Sequence, residues 1–500
     1  MRQRVFSRAL AVATVTALGA AGMAGAVHAS AVTTGAKATA GAKPYDFNGD
    51  GYPDLALGSP YGKVGSTTSA GFVTIVYGSK TGANTAKKQI FSQSTTGVPG
   101  AAEKNDHFGY SLTSLDYDHD GYADLLVGAP DEDTTGGTNA GSETILWGTK
   151  SGLTGTGSQT LPEPGNAGAN HRFGFSMTTG DFDGNGVMDW VDTSPGDASF
   201  WTFTSASNLR AAARTFAPAA KRRAVSGTRG LAKAEAVATL DALVPVAGDV
   251  NGDQRTDLVL GWRNTKAEAK YQYGFDLWTD PAETTPTNEV LTKLDGLAVG
   301  DFDGDGYADV AAGAADDSGR EHSHLVVFKG DANVGMETSY MINQETAGVP
   351  GTTALGDKFG TSLAAGDVNH DGRSDLAVGV PGRTVSGKAR AGEAIVLYGS
   401  AGGLTGTGSQ AVSQSTSGVP GTAEADDAFG TGVSLLDITK DGYADLVAGA
   451  SGENSLDGTV SVLKGGTGGV TGTGSTSFGA GTFGVTGKDA QIGRIIGRNG

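Results

Sequence analysis

The chain has 500 residues, 82 of them glycine, no cysteine, and a formal charge of −18. That length exceeds what one hydrophobic core usually serves, so the chain is several domains or a repeat array. The missing cysteine excludes disulfide scaffolding and thiol chemistry, and the acidic balance argues against a duplex nucleic-acid partner.

Residues 1–29 read as a secretory leader. Arg2, Arg4 and Arg8 give a charged start, and an alanine-rich apolar run follows. Val27 and Ala29 occupy the −3 and −1 positions of a small-residue cleavage site, so cleavage after Ala29 is expected. Losing the three arginines takes the formal charge of −18 to about −21. The run is short and poor in leucine, which argues against a membrane anchor, and no later stretch is long and apolar enough to span a bilayer. A secreted chain without cysteine fits a bacterial source. Residues 30–44 form a small-residue segment before the first repeat.

From residue 45 onward one pattern recurs. Seven acidic stretches begin at residues 46, 116, 181, 249, 301, 367 and 437, spaced 52–70 residues apart. "DYDHDGYADLLVGAP" from Asp116 and "DFDGDGYADVAAGA" from Asp301 are the fullest. A Phe-Gly pair precedes most of them, at Phe108, Phe173, Phe359 and Phe429. Glycine-bounded β-branched runs follow, such as "GFVTIVYG" from Gly71 and "GEAIVLYG" from Gly392, and then "QSTTGVPG" from Gln93 or its relatives from Gln344 and Gln414. These are strands punctuated by turns. The alanine-rich stretch Ala211–Ala242 is the one candidate helix.

Each unit of roughly 66 residues holds about four short strands and cannot bury both sheet faces alone, so units must stack. An all-β, seven-bladed β-propeller over residues 45–500 is expected, with an open solenoid as the alternative. The termini favour a closed ring. No Phe-Gly strand precedes the first loop, and a spare one, "TFGVTGKDAQIG" from Thr482, follows the last. Pairing of the N- and C-terminal segments would close the ring. The fourth unit is degenerate, with the basic run "KRRAVSGTRGLAK" from Lys221 read as an insertion around residues 206–248.

Within each loop, counted from its first aspartate, oxygen-bearing side chains stand at positions 1, 3, 5 and 9, and position 7 offers a backbone carbonyl. In the first loop these are Asp46, Asn48, Asp50, Asp54 and Tyr52; in the second, Asp116, Asp118, Asp120, Asp124 and Tyr122. The third has Asp181, Asp183, Asn185, Asp189 and Val187; the fourth, Asp249, Asn251, Asp253, Asp257 and Arg255. The fifth has Asp301, Asp303, Asp305, Asp309 and Tyr307; the sixth, Asp367, Asn369, Asp371, Asp375 and Arg373. The seventh has Asp437, Thr439, Asp441, Asp445 and Tyr443.

So many oxygens on one sharp turn imply a hard cation. Calcium takes about 6–8 oxygens in irregular geometry, whereas magnesium demands a tight octahedron. A solvated polar turn would account for a single copy but not for seven in phase. An EF-hand needs Glu at position 12, and the fifth loop has Ala312 there, entering an apolar run. Up to seven calcium ions are therefore expected, each pinning the turn that launches the inner strand of a blade. The loops from Asp249 and Asp437 should bind most weakly: Gln254 replaces the usual glycine in one, and Thr439 a carboxamide or carboxylate in the other.

The alternation of "FG", "DxDxDG" and "GAP", the last intact at Gly128–Pro130, resembles the FG-GAP repeats of the integrin α-subunit N-terminal propeller. The resemblance covers roughly residues 45–497 and implies a propeller with calcium on the loops of one rim. No leg domain or disulfide accompanies it, so the chain looks like a free bacterial relative.

No HExxH, GxSxG or phosphate loop is present. Of the histidines, His107, His119 and His370 lie near or in acidic loops and His171 before a strand, while His322 and His324 alternate as if on one strand face. Trp147, Trp201, Trp262 and Trp278 are candidates either for a stacking surface or for blade packing. The expected function is a secreted, monomeric, calcium-binding adhesion module for an extracellular protein, glycan or cell-wall polymer. An extracellular hydrolase or polysaccharide lyase on a propeller is the alternative.

Overall fold

The computed structural model describes residues 42–497 apart from 164–167, 197–198, 204–220, 225–239, 265–272, 280–286, 292, 316–321, 334–335 and 337–338. The leader and most of the alanine-rich stretch lie outside the described residues. The described strands make seven four-stranded antiparallel sheets.

The second sheet shows how a unit folds. Its strands are Ser111–Leu115, Asp124–Ala129, Ser142–Trp147 and Thr154–Pro162, in that spatial order. The second and third strands are buried along their whole length, which requires cover on both faces. Fourth strands lie at the sheet edge; in the sixth sheet only Gly406 and Val412 of Thr405–Val412 are buried.

Cover comes from neighbouring sheets. Apolar clusters occupy every junction, the one between sheets five and six joining Ala311, Leu325 and Val327 to Leu376, Val378 and Ile395. The cluster joining Leu55, Leu57 and Phe72 to Val447, Val460 and Val462 links the seventh sheet back to the first. The first strands of all seven sheets line one axial cavity of about 370 Å³. This is an all-β propeller.

Closure comes from the chain ends. Ile495–Ile496 pairs antiparallel with Leu55–Ser59 and takes the first-strand place that the N-terminal part leaves vacant. The pair that precedes it is Ile492-Gly493 rather than the expected Phe483-Gly484. Gly493 has φ +90° and Ile492 bridges Gly458, as Phe429 bridges Gly392. Phe483 instead ends a single-turn helix, Ala480–Phe483, with its side chain buried against Phe478. An apolar residue followed by a positive-φ glycine is what the position requires, and isoleucine satisfies it as well as phenylalanine.

Two further expectations are corrected. The strand launched by each acidic loop is the second of its sheet, while the axial strand is the one before the loop. Part of the basic run, Lys221–Ala224, is the fourth strand of the third sheet, paired with Ser199–Phe203, and not an insertion in the fourth. The remainder of that run lies outside the described residues.

The glycines of the two repeated motifs meet across the junctions. A Cβ on Gly128 would lie 2.1 Å from the Gly174 carbonyl oxygen of the next repeat. The same approach recurs at Gly313 on Gly360, at Gly379 on Gly430 and, at 1.9 Å, at Gly449 on Gly493. No side chain fits at such a distance, so the glycine that ends one second strand and the glycine that begins the next first strand are one contact.

Candidate metal centres

All seven acidic loops follow one backbone plan on one rim, at the end of the axial strands opposite the Phe-Gly pairs. The position-1 carboxylate accepts the position-6 N–H, from Gly51 to Asp46 at 2.9 Å, Gly121 to Asp116 at 3.1 Å and Gly186 to Asp181 at 2.8 Å. It recurs from Gln254 to Asp249, Gly306 to Asp301, Gly372 to Asp367 and Gly442 to Asp437 at 2.8–3.0 Å. The position-5 side chain accepts the position-7 N–H in every loop, from Tyr52 to Asp50 through Tyr443 to Asp441. These bonds curl the turn and hold carboxylates on its concave side.

Position 9 has a second task that sequence reading missed. Asp124 Oδ2 accepts the Tyr117 N–H at 2.8 Å, and its Oδ1 accepts the Gly148 N–H beyond the third strand at 2.7 Å. Asp54 does the same with Phe47 and Gly78, Asp309 with Phe302 and Gly330, and Asp375 with Val368 and Gly399. Asp257 holds Val250 and Asp445 holds Gly465. This aspartate therefore ties its loop to the sheet whatever else it binds, and the glycine ending the third strand was its overlooked signal.

The ligand-bearing atoms converge. One oxygen from each of Asp116, Asp118 and Asp120 lies within 4.8 Å of the others, and so do those of Asp181, Asp183 and Asp189 and of Asp301, Asp303 and Asp305. At position 3, Asn48, Asn251 and Asn369 turn Oδ1 toward the position-5 N–H at 2.9–3.0 Å, and Thr439 is buried. Asp46 Oδ1, Asp257 Oδ1, Asp445 Oδ2 and Thr439 Oγ1 are buried without a hydrogen-bond partner. Buried acceptors lacking donors are costly and suit a cation.

The electrostatics agree. Burial pushes Asp54 up to about 8 and Asp257, Asp309, Asp375 and Asp445 up to about 7, against the pull of their backbone donors, and neighbouring loop carboxylates push further. Asp124 is raised well above its ordinary value for the same reason. Loops of this kind can hold metal ions, which supply the positive charge that the fold withholds. Some cations are built in: Lys329 reaches Asp303 at 2.7 Å and Arg255 reaches Asp253 at 3.0 Å. As expected from its sequence, Gln254 adopts φ +68° where the other loops place glycine.

The loops are also chained along the rim. The position-1 carbonyl of one loop accepts the position-8 N–H of the next, from Ala123 to Asp46, Thr256 to Asp181, Ala308 to Asp249, Ser374 to Asp301 and Ala444 to Asp367, at 2.8–3.1 Å. Position 8 of the first loop is Pro53, which has no N–H to give to the seventh.

Other sequence candidates fall away. Trp147, Trp262 and Trp278 are buried, and the Nε1–H of Trp147 donates to the Gly157 carbonyl and that of Trp262 to Asp276, so these three are packing residues and not a stacking surface. The side chain of Trp201 lies outside the described residues. His322 precedes the strand His324–Phe328, and His324 Nδ1 lies 3.2 Å from the His322 carbonyl, so they do not form a same-face pair. His107 is at the Phe-Gly end, with Nδ1 2.7 Å from Asp131; His171 pairs with Glu163. His119 and His370 sit at position 4 of their loops with positive φ, and His370 reaches the Gly442 carbonyl of the next loop at 2.7 Å.

The fold and its loops define a propeller built of FG-GAP units. The FG-GAP repeat family matches residues 39–76, 108–144, 295–326, 359–397 and 429–463. Integrin alpha-8 of Mus musculus is 28% identical over 218 residues, covering 42% of this chain and 19% of that protein. Integrin alpha-PS5 of Drosophila melanogaster is 34% identical over 164 residues, covering 32% and 15%. Phosphatidylinositol-glycan-specific phospholipase D of Rattus norvegicus is 33% identical over 112 residues, covering 22% and 13%. The alignments thus span about a fifth or less of each relative. The chain is an integrin-like FG-GAP repeat protein. Among its described residues no helix is long and apolar enough to cross a membrane.

Proposed function

We propose that this chain is a secreted, calcium-stabilised, seven-bladed propeller that acts as a monomeric binding module for an extracellular protein, glycan or wall polymer. The observation that carries the reading is the rim itself: seven loops with one hydrogen-bond plan, converging carboxylates, and buried oxygens such as Asp46 Oδ1 that lack donors. Side chains at positions 1, 3, 5 and 9, with the position-7 carbonyl, are the assigned ligands of each ion. The loops from Asp249 and Asp437 are assigned the lowest affinity. Calcium would neutralise each loop, and this chain's own residues would do the rest: orient the second strands and keep the sheets in register. Residues 1–29 are assigned as the leader.

If each ion binds at tenfold excess over its dissociation constant, linkage supplies about 1.4 kcal/mol per site. Seven sites would then contribute on the order of 10 kcal/mol, as large as a typical net stability of ~5–15 kcal/mol. The test is metal content by native mass spectrometry together with thermal unfolding with and without chelator. Several bound calcium ions and a melting point lower by more than 10 °C after chelation support the reading. Unaltered melting with no bound metal removes it.

A further inference from the structure

We propose that the mouth of the axial cavity at the Phe-Gly end binds the terminal residue of a uronate-bearing glycan. This rests on the binding-module reading and names its ligand class and site. Tyr110, Phe175, Thr361 and Thr431 each follow a Phe-Gly glycine, six positions before an acidic loop; Asp295, six positions before Asp301, and Arg494, after Ile492-Gly493, hold the corresponding places on their axial strands. In a scaffold of repeats these residues form a ring, and here the ring is lopsided. Arg494, Tyr110 and Phe175 fill one arc, contributed by the first, second and third sheets; Asp295, Thr361 and Thr431 fill the other, from the fifth to the seventh. Repetition alone would make the arcs alike, so the asymmetry marks a surface shaped by something other than folding.

The aromatic arc is built and partly open. The Tyr110 and Phe175 rings lie 5.1 Å apart, and Arg172 is placed over Phe175 at 5.0 Å. Arg172 is itself held by Asp131, through Nε at 2.8 Å and Nη2 at 3.1 Å. That second acid also holds His107, so this part of the arc is internally balanced. Asp295 on the far arc accepts the Ala315 N–H and faces Lys293 at 3.4 Å. Arg494 differs. It is exposed, its Nη1 donates to the neutral Gln491 Oε1 at 2.9 Å, and it lies 5.4 Å from the Tyr61 ring. A cation with neutral partners at the cavity mouth, in a chain of charge −18, selects an anionic group.

The remaining chemistry narrows the anion to an acidic sugar. Guanidinium suits a planar carboxylate. A half-exposed aromatic wall suits the apolar face of a pyranose ring. The opposite wall carries the Thr361 and Thr431 hydroxyls, whose protons go to Lys358 and Ala428 carbonyls, and Thr431 Oγ1 also accepts from Ser451 at 3.1 Å; the acceptor capacity left on these hydroxyls, chiefly on Thr361, suits a ligand rich in hydroxyl donors. The cavity of about 370 Å³ opens beside a second of about 280 Å³ that shares Tyr110 and Phe175. Together they suit one or two sugar residues. Because the cavity lies on the ring axis, a polymer enters it end-on, so a chain end and not a chain interior is recognised.

The experiment titrates a hyaluronan tetrasaccharide with terminal glucuronate into the full chain in calcium, beside the same compound with its carboxylates reduced to alcohols. Binding of the acid form, weakened at least tenfold by carboxyl reduction, by Arg494→Ala and by Tyr110→Ala, is the expected result. Both variants lie at the end opposite the acidic rim, so their calcium stoichiometry should match the parent, and the melting point of Arg494→Ala, which removes an exposed side chain, should match it too. No binding by the parent, or equal binding by both variants, overturns the assignment. Failure of the metal reading would show separately, as absent calcium in the same samples.

Discussion

The junction between the sixth and seventh sheets and that between the third and fourth solve one packing problem in two ways. At the former, Phe429 is fully buried and bridges Gly392, and Gly379 lies against the Gly430 carbonyl with no room for a side chain. At the latter, the third sheet carries Thr193 where Gly379 would stand, and the fourth sheet has no Phe-Gly pair before Val244. Both halves of the contact are missing together at this junction. Bulk replaces intimacy: Phe182, Trp262 and Trp278 fill the space between these two sheets. The acidic rim is treated differently. Thr256 still donates to the Asp181 carbonyl at 2.9 Å, as Ala444 does to Asp367 at 2.8 Å. The rim is common to both junctions, whereas the glycine contact is dispensable.

The largest effect should come from filling the glycine contact. Gly379→Ala places a methyl 2.1 Å from the Gly430 carbonyl, and backbone must move to admit it. A loss of about 3 kcal/mol is expected. Gly261→Ala, at the irregular region, meets the Leu297 Cδ1 and Leu294 Cδ2 ends at 2.6 and 2.8 Å, with the Val244 carbonyl oxygen at an ordinary 3.4 Å. Those side chains can turn away, so a cost of about 1 kcal/mol is expected. Urea unfolding of both variants checks the comparison, and equal losses would break it.

What was legible in the sequence follows the same division. The seven loops, the short strands of each unit and the need for a closing strand could be read because each rests on local chemistry repeated at a fixed period. Asp46 to Asp54 or Asp301 to Asp309 announce a turn wherever they fall. The family match likewise skips residues 145–294, where the third and fourth repeats lie. What could not be read was pairing at a distance. Asp124 reaching Gly148, Lys329 reaching Asp303 and Gly128 meeting Gly174 join residues whose spacing carries no local signature. The closing strand was misplaced by a few residues for a related reason. Phe483-Gly484 has the familiar letters, but Ile492-Gly493 has the required backbone and sits next to the axis.

A smaller effect should appear with pH, again confined to the irregular side. Asp192 of the third sheet is buried against Glu143 of the second, and desolvation raises both above their ordinary values; the Glu143 charge pushes Asp192 further up, while hydrogen bonds from Asp192 and Trp190 pull Glu143 partly back. The folded state therefore keeps protons that the unfolded chain releases near pH 4. Stability from this pair is highest at or below that pH and falls as pH rises, by up to ~1.4 kcal/mol per unit for each retained proton. Asp192→Asn can still accept the Gly174 N–H that Asp192 Oδ1 takes at 2.8 Å, and it removes one titrating proton. The variant should match the parent near pH 4 and exceed it increasingly toward pH 8. Parallel pH profiles would show that the pair carries no such cost.

The smallest effect tests whether the rim is as uniform as its hydrogen bonds suggest. Gln254 has φ +68°, in the region where glycine stands at position 6 of the other six loops, yet its N–H still reaches Asp249 at 2.8 Å. The turn is therefore formed, and the side chain only adds strain, of order 1 kcal/mol for a residue that is not glycine. Gln254→Gly removes that strain while giving back some unfolded-chain entropy, so a net gain of about 0.5 kcal/mol is expected. The gain should be present with calcium and with chelator alike, because backbone conformation and not a ligand is being changed. A gain seen only with calcium would mean that the fourth loop is distorted until an ion draws it closed, and the two junctions would then differ in their metal sites as well as in their packing.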